Sequence, residues 1–283
     1  MGFLRDLVNK GTEILKNADD EDAKLDAFLI LQYITGMNRT SYYLHCDEEE
    51  FVSKGYEKEF LITEYYKLIE RRASHVPLAY IFGYQDFCGL TFKVNENVLI
   101  PEQDTESLVE EVLKVVDGKS VFDLCTGSGC IAISIAKLGK PSSVSASDIS
   151  TKALAIAREN ADRLGAAVTF YESDLFSSIE GKFDVIVSNP PYIKTDVIKG
   201  LAPEVRDHEP LLALDGDADG LSFYRKISKE AKEHLNKKGR IYYEIGYDEG
   251  AQVSEILADN GFQDIKVMQD LAGLDRIVAG RML

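Results

Sequence analysis

The sequence predicts an α/β protein: a doubly wound, mostly parallel sheet of seven strands, preceded by a small all-α domain and a linking β-hairpin. Three observations lead there. Residues 1–75 carry apolar side chains at helical spacing throughout. From residue 99 onward, short β-branched runs alternate with helical stretches, the pattern of strand–helix–strand crossovers. The last two runs, 265–268 and 276–279, follow one another without a helix between them, which predicts an antiparallel closing pair.

Taken in order, Leu4, Leu7, Val8, Ile14 and Leu15 open the helical part. Leu25, Phe28, Leu29, Leu31 and Ile34 define a second helix ending near Gly36, and Tyr42, Tyr43 and Leu44 a short third. A longer helix is expected from about Glu49, through Phe60, Leu61, Tyr65, Leu68 and Ile69, to Arg72. The acidic runs at 19–22 and 47–50 read as solvated caps and loops. A helical domain without a catalytic constellation is expected to recognise a partner. Residues 78–83 and 90–94 then predict two strands around a turn. The expected divisions are therefore 1–75, a hairpin linker at 76–98, and 99–283. Pro101 ends the extended stretch, and Asp104 or Thr105 is placed to cap a helix bearing Leu108, Val109, Val112 and Val115.

A glycine-rich loop follows. Ser120-Val121-Phe122-Asp123-Leu124 reads as a buried strand, and Cys125-Thr126-Gly127-Ser128-Gly129 turns into a helix with Ile131, Ile133 and Ile135. Its glycines let backbone approach a bound cofactor, and the helix offers free N–H groups. A second strand, 144–147, delivers Asp148 at the position suited to two ribose hydroxyls, with Ile149 next to it, and Ser150 caps the helix at 152–164. A third strand, 168–171, leads to Ser173-Asp174-Leu175-Phe176, an acid and apolar groups suited to the edge and face of an adenine. Gly127-x-Gly129-x-x-Ala132 also satisfies the dinucleotide fingerprint. Asp123 separates the two: a carboxylate facing the loop suits the ammonium or sulfonium region of S-adenosylmethionine and would repel a pyrophosphate; its other reading is an acceptor that braces the loop.

The fourth strand, 183–188, stops at Asn189-Pro190-Pro191-Tyr192. Neither proline can donate a ladder hydrogen bond, and Asn189 is held extended by the proline after it. The strand's carboxyl end thus presents an amide, a proline carbonyl and an aromatic ring, where ligands bind in open α/β sheets. That set suits transfer of a group to a planar NH2. The Asn189 side-chain oxygen and the Pro190 carbonyl take its two N–H bonds and aim its lone pair, while Tyr192 stacks on the planar group. Beyond a polar loop at 194–208, the acids and glycines of 215–220 lack the terminal glutamate of a calcium loop and read as turns and a helix cap. A helix with Phe223, Ile227 and Leu235, a strand at 239–246 and a helix at 252–259 precede the closing pair.

The 283 residues leave room for two domains, and 45% apolar residues allow an ordinary core. A net charge of −16 argues against affinity built on nucleic-acid phosphates. Cys46, Cys88, Cys125 and Cys130 lack metal or disulfide-framework spacing, so no metal site and a reduced, cytoplasmic setting are expected. His45-Cys46 reads as helix-end packing. Residues 1–6 do not read as a signal peptide, no run is long enough to span a bilayer, and a monomer is expected.

The segments 123–129, 147–148, 173–176 and 189–192 together resemble class I S-adenosylmethionine-dependent methyltransferases acting on planar amino groups. More specifically, 77–83, Ile100-Pro101 with Asp104-Thr105-Glu106, 209–214, 219–221, Tyr224-Arg225, Glu244-Ile245-Gly246 and Asp275-Arg276-Ile277 resemble the release factor glutamine methyltransferase family, also known as PrmC or HemK. The likeness runs from about residue 70 to the end, and the helical front agrees in size and type. It implies methylation of the glutamine amide in the Gly-Gly-Gln motif of class I peptide chain release factors, leaving S-adenosylhomocysteine. It further implies that Cys125, Thr126, Gly127, Ser128, Gly129, Asp148, Ile149, Asp174, Leu175 and Asn189 contact the cofactor. Asn189, Pro190, Pro191 and Tyr192 hold the substrate, with Asn189, Pro190 and Tyr192 as the catalytic set. Cys125 stands where the family usually has glycine, and Glu102-Gln103 where it usually has Arg-Pro. Three other readings share parts of the pattern: a methyltransferase acting on exocyclic amines of adenine or cytosine in nucleic acid, an NAD-dependent dehydrogenase, and a cofactor-binding adaptor.

Overall fold

The computed structural model describes residues 2–48 and 57–283. It divides into two compact units, Met1–Gly83 with Pro203–His208, and Tyr84–Ala202 with Glu209–Leu283.

The first unit is helical: α1 (Phe3–Lys16), α2 (Ala23–Thr35), α3 (Arg39–His45), α4 (Lys58–Ala73) and α5 (Leu78–Phe82). Leu4, Leu7, Val8 and Leu15 on α1, Ala27, Ile30 and Leu31 on α2, and Leu61, Tyr65 and Ile69 on α4 recur at helical spacing and are buried against one another. Gly36, with φ +67°, stops α2 as a left-handed cap. Two expectations change here. The segment 78–83 is not a strand but the helical turn α5, started by Pro77 and closed by Gly83, so its apolar run is core-facing on a helix. The acidic run at 19–22 is not wholly solvated. Asp20 and Asp26 are buried and pair with Arg72 Nε at 3.1 and 2.6 Å, and Glu204 meets Arg72 Nη1 at 3.0 Å. Three carboxylates around one buried guanidinium keep its charge satisfied inside the unit. Asp47 of the second acidic run is exposed and pairs with Arg5, whereas the expected helix start at Glu49 lies outside the described residues.

The second unit opens with the hairpin β1 (Tyr84–Phe87) and β2 (Leu90–Lys93), whose Phe87 and Phe92 are buried. There follow α6 (Gln103–Leu113), β3 (Ser120–Leu124), α7 (Cys130–Leu138), β4 (Ser143–Asp148), α8 (Thr151–Leu164), β5 (Thr169–Glu172) and β6 (Phe183–Ser188). After the 3-10 turn Ile198–Gly200, Pro203–His208 is α9, the short helix of the first unit. The rest is α10 (Leu211–Leu214), α11 (Ser222–His234), β7 (Leu235–Glu244), α12 (Gly250–Asp259), β8 (Gln263–Gln269) and β9 (Asp275–Arg281). Leu235 opens β7 rather than closing α11. Asp104 and Thr105 do not cap α6, which begins at Gln103 after Glu102 with no side-chain cap.

Seven strands lie in the order β5-β4-β3-β6-β7-β9-β8, five of them parallel and β9 antiparallel to both neighbours. Both faces are apolar because helices cover both. On β3, Phe122 and Leu124 face a cluster with Tyr224 and Ile227 of α11, while Val121 packs with Val109 of α6 and Ile135 of α7. Each such side chain contributes about 1.5–3 kcal/mol on burial. Strand order reverses between β3 and β6, and the register sets Leu124 opposite Ser188. Residues 125 and 189 therefore leave the sheet side by side at the switch point, where open α/β sheets bind ligands. No helix among the described residues is long and apolar enough to cross a membrane.

Candidate active site

A cavity of about 460 Å³ opens at that switch point. Cys125, Gly127, Asp148, Ile149, Asp174, Leu175, Asn189 and Pro191 all line it. The loops that carry them are tied edge to edge: Thr126 N–H donates to the Ser147 carbonyl at 3.0 Å, and Ser173 N–H to the Asp148 carbonyl at 3.1 Å. Ser188 Oγ donates to the Leu124 carbonyl at 2.8 Å, locking the two central strand ends together.

Asp148 receives Gly127 N–H on Oδ2 at 2.9 Å and Ser150 N–H on Oδ1 at 2.8 Å. Burial pushes its carboxyl up, and the backbone N–H groups of Ser150, Gly127 and Ile149 work the other way. Each oxygen keeps a lone pair for a further donor, the requirement for holding two neighbouring hydroxyls. Ile149, half-exposed, and Leu175 offer apolar contact beside it. Ser147 Oγ, on the same wall, is buried with no partner among the described residues. Acid, apolar slot and an unmatched hydroxyl together fit a nucleoside such as that of S-adenosylmethionine.

Two residues on this wall, Cys125 with φ 61° and Leu175 with φ 48°, hold left-handed backbone without being glycine. Such strain persists where the surrounding structure over-determines the chain. Gly129, at φ +81°, begins α7; a Cβ there would lie 2.9 Å from Ile133 Cδ1 and 3.1 Å from Ala157 Cβ. The glycine thus lets α7 and α8 close on one another.

Asp123 takes the second of its two expected roles, the brace beneath the loop, and not that of facing the cofactor. It is fully buried and does not border the cavity. Its Oδ2 accepts from Thr126 Oγ1 at 2.6 Å and from Ala132 N–H at 3.2 Å, bracing the glycine loop from beneath. Burial pushes its carboxyl up to about 7, against the pull of those two donors. The period-2 alternation of β3 sends residue 123 to the α7 face, away from the cleft. The acid still occupies a donor of the α7 amino end, the group a pyrophosphate would need.

Of the remaining expected site residues, Thr126 and Ser128 are buried and Gly129 lies at the start of α7, none of them bordering the cavity. Pro190 is buried and Tyr192 half-buried, its ring against the apolar cluster of α11 and α12. Backbone holds the Tyr192 segment from below. Ile193 N–H donates to the Leu214 carbonyl, and Gly216 N–H to the Ile193 carbonyl. A Cβ on Gly216 would lie 2.7 Å from Tyr192 Cα. In the 215–220 turn, Asp215 accepts from Thr195 and Asp219 pairs with Arg225.

Several contributors lie outside the expected site residues. Val98, Leu99, Pro210 and Phe223 line the cavity from loops and from α11. Asn160, fully buried on α8, donates to the carbonyls of Ser128 and Lys93, both at 3.0 Å, joining the glycine loop to β2. Thr105 accepts from Asn189 Nδ2 at 3.3 Å. Glu102, just ahead of α6, and Gln103, its first residue, are exposed. The buried Glu244 carboxyl is pushed up to about 7 by burial, against hydrogen bonding from Thr105 and the charge of Arg276, with Glu102 and Asp104 adding to the rise.

A doubly wound sheet with a cleft at its switch point, lined by an acid, apolar side chains and an asparagine–proline corner, fits a methyltransferase. Residues 101–203 match the methyltransferase small domain family, and residues 6–83 the PrmC N-terminal domain family. The fold is shared with a methyltransferase from Pyrococcus furiosus, at a TM-score of 0.53 and 20% identity over 68% of this chain and 89% of that one. The release factor glutamine methyltransferase of Geobacter sulfurreducens is 41% identical over 269 residues, 93% of this chain and 90% of its own. That of Clostridium acetobutylicum is 40% identical, over 97% of each chain. The chain belongs to the release factor glutamine methyltransferase family.

Proposed function

We propose that this chain methylates the side-chain amide nitrogen of the glutamine in the Gly-Gly-Gln motif of class I peptide chain release factors, with S-adenosylmethionine as donor. The observation that carries the reading is the shared cavity. Asn189 and Pro191 border the same cleft as Asp148, Ile149 and Leu175, so an amide-accepting corner and a nucleoside-holding wall face one space.

When bound, the cofactor supplies a methyl group made electrophilic by its sulfonium. The chain's own residues do the rest. Asp148 accepts the ribose hydroxyls, while Ile149 and Leu175 cover the base and Asp174 meets its edge. Asn189 Oδ1 and the Pro190 carbonyl accept the two N–H bonds of the substrate amide, holding its plane so the nitrogen lone pair is aimed. An amide nitrogen is a strong acid once alkylated, so the proton leaves to water and no general base is required. Pro191, fixed in φ, keeps this corner from relaxing. Tyr192 keeps its ring in the apolar cluster and supports the corner from behind. Release factors are the partner supported by the family, and the helical first unit is the part proposed to recognise them.

The test is incubation of a release factor with this protein and S-adenosylmethionine, read by intact mass and peptide mapping. One added methyl on the Gly-Gly-Gln glutamine is expected. Transfer to another residue, or none, overturns the reading.

A further inference from the structure

A hydroxyl buried without a partner has given up water and gained nothing for it. Ser147, next to last on β4, is such a residue. It is 0% exposed, its Oγ has no partner among the described residues, and it borders the cavity. Its carbonyl is already taken by Thr126 N–H at 3.0 Å, so the hydroxyl is the polar group it has left to offer. The other serines on the cavity wall are engaged. Ser150 Oγ accepts from Ala153 N–H at 3.1 Å, and Ser173 Oγ accepts from Ser178 N–H at 3.0 Å and pairs with Ser177 Oγ at 3.4 Å.

The sheet sets the direction of this hydroxyl. Ser147 lies opposite Leu124 of β3 in a parallel ladder, where register partners point to the same face. Leu124 faces the cluster that holds Tyr224 and Ile227 of α11. Ser147 therefore points to the α11 side, from which Phe223 also reaches the cavity. The next residue along the strand is Asp148, the acid placed for two ribose hydroxyls.

The chemistry of a nucleoside matches this order. Asp148 and Asp174 bring carboxyl oxygens, suited as acceptors to sugar hydroxyls and to an exocyclic amino group. The ring nitrogens of adenine are acceptors themselves, so they need a donor, and a serine hydroxyl can donate. Of these nitrogens, N3 is bonded to the carbon beside the glycosidic nitrogen and so lies on the ribose side of the base. A free donor one residue from the ribose acid is matched to N3, whereas N1 and N7 flank the amino edge assigned to Asp174. We infer that Ser147 is a specificity residue for the cofactor, its hydroxyl donating to N3 of the adenine. This rests on the reading of the cleft as the S-adenosylmethionine site. A base with carbon at that position leaves the hydroxyl unpaired again and is selected against.

The experiment titrates S-adenosylhomocysteine and its 3-deaza and 7-deaza analogues into wild-type protein and Ser147→Ala by calorimetry, and melts both proteins with and without ligand. Ser147→Ala should lose about three- to tenfold in affinity for S-adenosylhomocysteine, the range of one neutral hydrogen bond. It should lose the same factor for the 7-deaza analogue and nothing for the 3-deaza analogue, so that the coupling belongs to N3 alone. Asp148→Ala, acting on the ribose, should weaken all three alike. Without ligand, Ser147→Ala should melt no lower than wild type, because an unpaired hydroxyl has been removed. Equal loss for the 3-deaza compound, unchanged affinity for S-adenosylhomocysteine, or a lowered melting temperature without ligand overturns the assignment. A wild type that binds none of the three refutes the cofactor reading, and this inference with it. A wild type that binds them but methylates no release factor refutes the release-factor reading alone, and the same titrations still decide the role of Ser147.

Discussion

The two halves of the cleft are built by different means. The nucleoside half is backbone work: Asp148 is held by the N–H groups of Gly127 and Ser150, and successive loops are tied carbonyl to N–H. The amide half is side-chain work, in which Asn189 Nδ2 donates to Thr105 Oγ1, 84 positions away in the chain. Backbone donors come with the fold and tolerate changes of side chain. A hydrogen bond between two side chains depends on both members. Substitutions in the nucleoside half should therefore weaken binding, and substitutions in the amide half should remove chemistry.

The sharpest separation is Asn189→Ala, which should lower kcat by about a hundred- to a thousandfold, the range for removing one preorganised polar contact. Its cofactor dissociation constant should stay close to wild type. Equal loss of both would make Asn189 a wall of the nucleoside pocket. Asp148→Ala is the converse: the cofactor dissociation constant should rise about ten- to a hundredfold, on the order of 1.5–3 kcal/mol for charged hydrogen bonds. With saturating cofactor its turnover should recover, and unaltered affinity would remove Asp148 from the ribose role.

The brace beneath the loop gives a pH signature. Because Asp123 is raised to about 7 in the folded protein, its contribution to stability is greatest below its unfolded value and is lost as pH rises through about 7. Asp123→Asn stays neutral. Its melting temperature should therefore gain on wild type by a few degrees between about pH 5 and pH 8. A constant difference across that range would mean that Asp123 titrates normally. The smallest effect is expected at Cys125, where relief of left-handed strain exceeds the entropic cost of glycine. Cys125→Gly should be stabilising by roughly 0.5–1 kcal/mol. A lowered melting temperature would show that the half-buried side chain's packing outweighs the strain of φ 61°.

The same contrast explains what the sequence could reveal. The nucleoside half is written in contiguous segments, each a strand end followed by its own loop, so Gly127, Asp148 and Leu175 could be placed by counting from strands. Asn189 was legible because two prolines mark where β6 must stop. Thr105 was not, because a threonine in the first turn of a helix reads as a cap, and only the folded sheet brings α6 against the end of β6. Asp123 left two readings open for a related reason: its sequence neighbours point to the loop, but strand alternation points its carboxylate underneath, which decides for the brace. The run at 78–83 reads equally as strand or helix by hydrophobicity, and the proline before it and glycine after it decided for the helix. Asp20 looked solvated because its buried partner, Arg72, lies four dozen and more residues away.

The central claim is that this corner receives a glutamine amide and no other planar amine. It is tested most directly in one reaction containing methyl-labelled S-adenosylmethionine, a release factor, the same factor with its Gly-Gly-Gln glutamine replaced by glutamate, and an RNA and DNA pool. Label confined to the intact release factor is the predicted result. Label on the glutamate form, or on nucleic acid in preference to protein, would contradict it.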